Sequence, residues 1–288
     1  MNPKVTILTP CYNSENFIER LFNSILTQTY DNIEFVVVND GSTDGTLKIL
    51  ENYKEKFQNQ KYEYKIISQE NLGQASAINN GLKYVTGKYL VWPDSDDFYE
   101  KDSIKSMVDF LEMNPDYSAV RGAVNYIRED DMSIINTYRS ENPNNTDLFV
   151  NYIVGKDIYC YPGCIMIDFD NFKQKNNGLN IICNSKKVGQ NWQLILPITY
   201  RQKVGYIDKV IYNYLIRKSS HSRTKKDYIE ILNDFKIQER LLNEIITKIV
   251  IKTKDKIIYK LIISNKYLKL RFKFLLKNYY NKVFNKNR

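Results

Sequence analysis

Glu34-Phe-Val-Val-Val-Asn-Asp-Gly-Ser-Thr-Asp-Gly45 joins a short, almost wholly apolar run to a polar turn. The run is too short for a helix and does not alternate with polar residues, which is how a strand buried on both faces reads. The turn opens a helical pattern through Leu47, Ile49, Leu50 and Tyr53, so strand, loop and helix follow without a spacer. Three neighbours repeat the unit. Lys4-Val-Thr-Ile-Leu-Thr9 leads through Pro10-Cys-Tyr-Asn-Ser-Glu15 to a helix over 17–28. Tyr64-Lys-Ile-Ile67 leads through Asn71-Leu-Gly73 to a helix from about Gln74 to Tyr84, and Tyr89-Leu-Val-Trp92 runs into Pro93-Asp-Ser-Asp-Asp97. Strands alternating with helices predict an α/β, Rossmann-like fold with a mostly parallel sheet flanked by helices.

Beyond a helix at 101–113 the pattern is less regular. Residues 118–126 and 133–138 predict paired antiparallel strands, 147–155 a helix, 163–167 a buried strand and 189–200 a helix. Residues 206–217 read as a strand pair turning at Asp208-Lys209, and from 227 the pattern is helical to the end. The 288 residues are 43% hydrophobic and 26% charged, enough for a core and against wholesale disorder. Cys11, Cys160, Cys164 and Cys183 form no Cys-x-x-Cys pair, and one histidine leaves no zinc spacing, so reduced, mostly buried thiols are expected. Met1-Asn-Pro-Lys4 running into a strand predicts no leader, and no apolar stretch reaches the roughly 18–20 residues of a membrane span.

The formal charge of +9 is uneven: residues 252–288 hold twelve cations against Asp255 alone, a local +11 that leaves the rest at −2. A near-neutral body, 1–222, is therefore read apart from a basic helical C-terminal extension, 223–288. In that extension Ile257, Ile258, Leu261, Ile262, Leu268, Phe272, Leu275, Leu276, Tyr279 and Phe284 interleave with lysines at near-helical spacing. A basic amphipathic helix fits an anionic membrane surface; the alternative is a helix packed on the body with a solvated basic face. No nucleic-acid recognition motif accompanies the charge, so nucleic acid is not an expected partner.

The chemistry concentrates in the loops after the strands, where an open parallel sheet places its ligand. Asp94-Ser-Asp-Asp97 packs acids at a strand end, and Asp-x-Asp spacing suits a hard Mg²⁺ or Mn²⁺ that shares phosphate oxygens. The plainer alternative is a solvated turn before a helix capped by Asp102 or Ser103. Tyr12 offers a ring on which a base stacks. Asp40 offers an acceptor for the imide N–H of uracil or thymine, or else closes an Asx-turn.

Val5-Thr-Ile-Leu-Thr-Pro-Cys-Tyr-Asn13, Val36-Val-Val-Asn-Asp-Gly-Ser-Thr-Asp-Gly45, Asn71-Leu-Gly73 and Asp94-Ser-Asp-Asp97, in this order, resemble the family 2 glycosyltransferases of the GT-A fold, of bacterial capsule or lipopolysaccharide type. The resemblance spans about residues 4–220 and divides the body into a nucleotide-sugar half, 1–100, and an acceptor half, 101–222. It implies that Thr9, Pro10, Tyr12 and Glu15 line the nucleotide, with Asn13, Gly73, Gln74 and Ser95 beside them, and that Asp40 binds the base. Asp94 and Asp96 are then the Asp-x-Asp element on ribose and metal–diphosphate. It further implies a metal-dependent, inverting hexosyl- or N-acetylhexosaminyl-transferase using a nucleoside diphosphate sugar, UDP-linked foremost. The acceptor is a glycan or lipid-linked oligosaccharide, and the setting is cytoplasmic, peripheral on the inner face of the membrane. A catalytically impaired nucleotide-sugar-binding scaffold is the alternative.

Two departures from the family pattern bear on mechanism. Its usual Glu-Asp pair is Gln190-Asn191 here, before Trp192, and an amide cannot take a proton at neutral pH. The base then comes from Asp97, Asp157, Asp168 or Asp170, or the amides orient the hydroxyl while solvent or phosphate takes the proton, or the enzyme is inactive; the plainer alternative is that the two amides cap a helix. Trp192 is either core or an acceptor-sugar platform. Ile78 stands where many members have arginine, with Arg217, Lys218 and Arg223 as replacements. His221 is a candidate metal ligand or diphosphate contact, or a plain surface histidine.

Overall fold

The computed structural model describes residues 2–156, 158, 161–177, 189–217 and 226–284. The first half comprises β1 (Val5–Cys11), α1 (Ile18–Leu26), β2 (Ile33–Asp40), α2 (Thr46–Asn52), α3 (Lys54–Asn59), β3 (Glu63–Gln69), α4 (Gln74–Leu82) and β4 (Tyr89–Val91). These strands pair in parallel, β1 lying between β2 and β4 and β3 outside β2. The loops after β1 and β4 therefore leave the same edge of the sheet side by side, at the point where the strand order reverses.

The chain continues through β5 (Phe98–Tyr99), α5 (Ser103–Met113), β6 (Tyr117–Arg128), β7 (Ile134–Tyr138), α6 (Phe149–Val154) and a 3₁₀ turn at Pro162–Cys164. It ends with β8 (Ile165–Asp168), α7 (Phe169–Lys175), α8 (Gln190–Thr199), β9 (Lys203–Ile216), α9 (Tyr228–Lys248) and α10 (Thr253–Phe284). All the strands share one sheet in the order β3-β2-β1-β4-β8-β6-β9-β5, with β7 on β6. β8 is antiparallel to β4 and β6, β9 runs parallel to β6, and β5 pairs antiparallel with β9.

Alternate residues of the apolar strands enter two separate cores, one on each face. Leu8, Val36, Val38, Leu90 and Trp92 pack with α4, α6, α7 and α8. Ile7, Phe35, Val37 and Val91 pack with α1, α3 and α5. This two-sided burial is why these strands lack polar alternation.

The strand pair expected over 206–217 is instead one continuous strand. Across Gly122 and Ala123 the partner on β9 jumps from Ile207 to Val210, so Asp208 and Lys209 bulge out to solvent while pairing with β6 stays parallel. A bulge exposes two charged residues as well as a turn does, and it leaves Ile211 and Tyr212 in the core.

The C-terminal helices are docked on the body. Asp227 caps α9 in a reciprocal capping box with Glu230. From α10, Ile263 and Tyr267 are fully buried, and Tyr259, Ile262 and Leu270 pack against the same core. Both readings of the extension thus have a physical counterpart, because the opposite face of α10 exposes Ile257, Ile258, Leu261, Leu268, Phe272, Leu275 and Leu276. Among the described residues no helix is long and apolar enough to cross a membrane. Cys11 and Cys164 are buried, their Sγ–H groups donating to Val38 O and Tyr161 O, while Cys160 and Cys183 lie outside the described residues.

Candidate functional site

Three strand-end loops meet at one edge of the sheet, stitched together by side chains. Asn13 Oδ1 accepts from Thr43 N–H at 2.8 Å, and Ser42 Oγ accepts from Asn13 N–H at 3.0 Å. Glu15 Oε2 accepts from Gly45 N–H at 2.7 Å, and Asp44 Oδ2 accepts from Glu15 N–H at 3.2 Å. Asn13 and Glu15 therefore brace the β1 loop against the β2 loop. Ser14 Oγ lies 2.8 Å from Ser95 Oγ and ties the same loop to the acids. Tyr12, 46% exposed, stands over the edge with its ring open. Thr9 and Pro10 are buried, and the Thr9 hydroxyl has no hydrogen-bond partner among the described residues.

Asp40 ends β2 in a buried position. Its Oδ1 accepts from Gln69 Nε2 at 2.7 Å and Leu72 N–H at 2.9 Å, and its Oδ2 accepts from Gly73 N–H at 2.9 Å. Gly73 has φ +91°, a conformation that costs a side chain dearly, and this bend aims its N–H back at Asp40 while α4 begins. The carboxylate thus holds the 71–73 loop.

The acid loop divides in two. Asp97 faces inward, fully buried: Oδ1 accepts from Leu215 N–H at 2.8 Å and Oδ2 from Tyr212 Oη–H at 2.9 Å. It was a catalytic candidate, but its carboxylate clamps the loop to β9. Tyr212 Oη also accepts from Asp94 N–H at 3.2 Å. Asp94 and Asp96 remain partly exposed. Asp94 Oδ1 accepts from Gln74 Nε2 at 2.8 Å. Asp96 Oδ2 is 2.8 Å from Arg217 Nε, an ion pair whose N–H is not aimed along a hydrogen bond. The Arg217 guanidinium stacks over Phe17 at 4.7 Å.

Among the described residues Arg217, and Arg20 toward Asp96, are the cations that oppose these acids. Burial, then the Asp96 charge, push the Asp94 carboxyl up to about 7, against the Gln74 bond and Arg217. Burial likewise raises Asp96 although Arg217 opposes it. Two hard carboxylates that resist ionisation until a cation arrives suit a divalent ion. Among the described residues no three His, Cys, Asp or Glu side chains converge on one point. The chain can offer Asp94 and Asp96, and a bound phosphate and water would have to supply the other ligands. His221, Lys218, Arg223 and Asp157 lie outside the described residues.

The amides at the start of α8 join this cluster. Gln190 Nε2 donates to Gln74 Oε1 at 2.7 Å, and Gln74 donates on to Asp94, making a relay from α8 to the acid loop. Asn191 Oδ1 accepts from Trp92 Nε1–H at 2.9 Å. Neither amide caps the helix: Gly189 occupies that position and α8 has no side-chain cap. Two base candidates are overturned by topology. Asp168 pairs with Tyr89 at the start of β4, where it caps α7, and Asp170 next to it pairs with Lys173. Both sit at the opposite rim, roughly 15 Å along the strand from the acids. Ile78 is buried core, so α4 presents no cation there. Trp192 is partly buried, with Lys266 Nζ 5.5 Å from its ring centre.

The Tyr212 clamp, the Gln74–Gln190 link and the Arg217–Asp96 pair carry no local sequence signal. Each joins residues more than a hundred positions apart in the chain.

The family model described as "Glycosyl transferase family 2" matches residues 6–174. "Glycosyltransferase GlyA" of Streptococcus pneumoniae is 30% identical over 229 residues, 77% of this chain and 32% of the relative. This chain thus spans about a third of that relative's length. Among solved structures, S. aureus TarS in complex with UDP-GlcNAc is 20% identical with a TM-score of 0.68, covering 92% of this chain and 73% of that one. The mannosyltransferase PcManGT of Pyrobaculum calidifontis, in complex with GDP-Man and Mn²⁺, is 19% identical with a TM-score of 0.58, covering 86% and 64%. The fold is that of these structures.

Proposed function

Because the chain belongs to glycosyl transferase family 2, as the match over residues 6–174 establishes, we propose that it moves a hexosyl or N-acetylhexosaminyl group from a nucleoside diphosphate sugar to a glycan or lipid-linked acceptor in bacterial surface-polysaccharide synthesis. The observation that carries this reading is the Asp94–Asp96 pair. It lies at the parallel strand ends, is raised toward its neutral form by burial, and is opposed among the described residues by Arg217, with Arg20 also acting on Asp96. Bound UDP-GlcNAc in the TarS structure supports a UDP-sugar donor, and Mn²⁺ in PcManGT supports Mn²⁺ or Mg²⁺.

In this reading the base stacks on Tyr12, and Asp40 takes its imide N–H on a remaining lone pair. Asp94 and Asp96 would hold the cation, with phosphate oxygens of the donor as further ligands. When bound, a divalent ion neutralises the charge that develops on the leaving diphosphate. Arg217, freed from Asp96, turns to the same phosphates. Inversion requires the acceptor hydroxyl to approach from the face opposite the diphosphate, on the α8 side of the cleft. Gln190 and Asn191 orient that hydroxyl, and solvent takes its proton. The exposed apolar face of α10 and its lysines support a peripheral position on an anionic membrane at the cytoplasmic side.

The test is Mn²⁺-dependent hydrolysis and transfer across a panel of nucleotide sugars, with Asp96→Ala as control. The expected result is turnover of one donor class, abolished in the variant together with metal-dependent UDP binding. A second reading, a nucleotide-sugar-binding scaffold, draws on Gln190 and Asn191, which put no carboxylate at the start of α8. Tight UDP binding without transfer or slow donor hydrolysis for any donor would favour it.

A further inference from the structure

A groove of about 370 Å³ runs between the end of α6 and α10. Val154, Ile262 and Leu270 give it an apolar floor, and Lys266, Lys269 and Lys273 edge it with cations. The lysines recur at three and four residues along one helix and so share a face. Lys266 is anchored: its Nζ donates to Ile153 O at 2.8 Å and lies over the Trp192 ring. Lys269 and Lys273 are exposed and have no carboxylate partner among the described residues. No acid follows Asp255 in the chain, and the nearest one used by α10, Glu239, is paired with Arg271. Among the described residues, the charges of Lys269 and Lys273 therefore face no carboxylate.

The face of α10 next to this row is the apolar one. Leu268, Phe272 and Leu276 are 62%, 62% and 52% exposed and sit one step round the helix from Lys269 and Lys273. A soluble anion would use the lysines and leave the stripe in water, while an apolar chain would leave the lysines unanswered. A ligand with a phosphate head and a hydrocarbon tail uses both. Lysine ammoniums suit a phosphate as point charges.

We propose that the α6–α10 groove binds the phosphate head of an amphiphile held in a lipid surface, with the Leu268–Phe272–Leu276 stripe seated among the hydrocarbon chains. Lys266, which lines the groove, lies over Trp192, two residues after Gln190, which the Gln74 relay joins to Asp94. A sugar carried on that phosphate would be the acceptor of the proposed transfer. The inference rests on the proposed activity only in calling the amphiphile an acceptor.

The test uses the full chain without nucleotide. The protein has two tryptophans and Trp92 is buried, so emission changes report Trp192. Dodecyl phosphate below its micelle concentration should shift the emission saturably, while equal inorganic phosphate or dodecyl maltoside should not. Lys269→Gln with Lys273→Gln should weaken dodecyl phosphate binding about tenfold or more. The same variant, and separately Leu268→Asn with Phe272→Asn, should reduce co-sedimentation with phosphatidylglycerol vesicles. These positions are exposed, so unchanged melting is the folding control. Equal binding by the lysine variant overturns the proposal. So does an equal response to inorganic phosphate, which marks a free-anion site, or to dodecyl maltoside, which marks apolar contact alone. Mn²⁺–UDP binding on the same samples separates the two readings: its loss with amphiphile binding intact sinks the donor chemistry and spares the groove.

Discussion

The indole N–H of Trp92 donates to Asn191 Oδ1 at 2.9 Å, fixing the end of β4 to the first turn of α8. Trp92 is 1% exposed, so removing the acceptor leaves a buried donor with nothing in exchange. Asn191→Ala should destabilise the protein by about 1–3 kcal/mol in urea unfolding. Asn191→Asp keeps an oxygen at the same place and should lose much less. Equal losses for the two would show that the bond is incidental and that the Asn191 side chain matters through its volume.

Arg217 competes with any cation for Asp96, since its Nε already lies 2.8 Å from Oδ2. Arg217→Gln should therefore raise Mn²⁺ affinity of the nucleotide-free protein, read by titration with electron paramagnetic resonance. Binding of UDP in the presence of Mn²⁺ should fall about tenfold, because the arginine no longer reaches the diphosphate. A fall in both would mean that Arg217 only holds the loop in shape.

The order of elements through residue 100 was legible because each strand is buried on both faces and ends in a polar turn. The edge of the sheet that carries the ligand loops followed from that order alone. Position within the loops was another matter. Asp94, Asp96 and Asp97 look alike in sequence, yet Asp97 turns inward, because Leu215 and Tyr212 reach it from more than a hundred residues away. Asp208-Lys209 reads as a turn because charge marks exposure, and exposure is equally what a bulge provides. Asp168 and Asp170 attracted a catalytic reading by type, and only the antiparallel register of β8 puts them at the far rim. The Gln74–Gln190 bond joins two exposed amides that no periodicity distinguishes.

Gly163 lies in the turn before β8, and a Cβ there would fall 1.9 Å from the Tyr212 ring. That ring is fully buried, and its hydroxyl holds both Asp97 and the Asp94 N–H. Gly163→Ala should destabilise the protein by about 1–3 kcal/mol through overpacking. It should also weaken Mn²⁺-dependent UDP binding, although residue 163 holds none of the acids. Tyr212→Phe, which keeps the ring and loses both bonds, should weaken the same binding. If Gly163→Ala melts earlier but binds UDP and Mn²⁺ as the parent does, the clamp does not position the acid loop.

Asp255 fastens the first turn of α10 to the body. Its Oδ2 accepts from Tyr200 Oη–H at 2.7 Å and from Arg201 at 3.0 Å. The Tyr200 bond, chiefly, and then Arg201 hold its carboxyl below the usual 3.8, against burial. A carboxyl depressed in the folded state contributes stability above its unfolded value, and that contribution disappears as pH falls through the folded one. Asp255→Asn should therefore melt below the parent protein at pH 7. The gap should hold down to about pH 4 and close at more acidic pH, where the parent loses the same charge. Since Ile263 and Tyr267 of α10 lie in the main core, the difference should appear in the single global transition. A gap that persists unchanged through the acid range would mean that Asp255 acts through hydrogen-bond geometry and not through its charge.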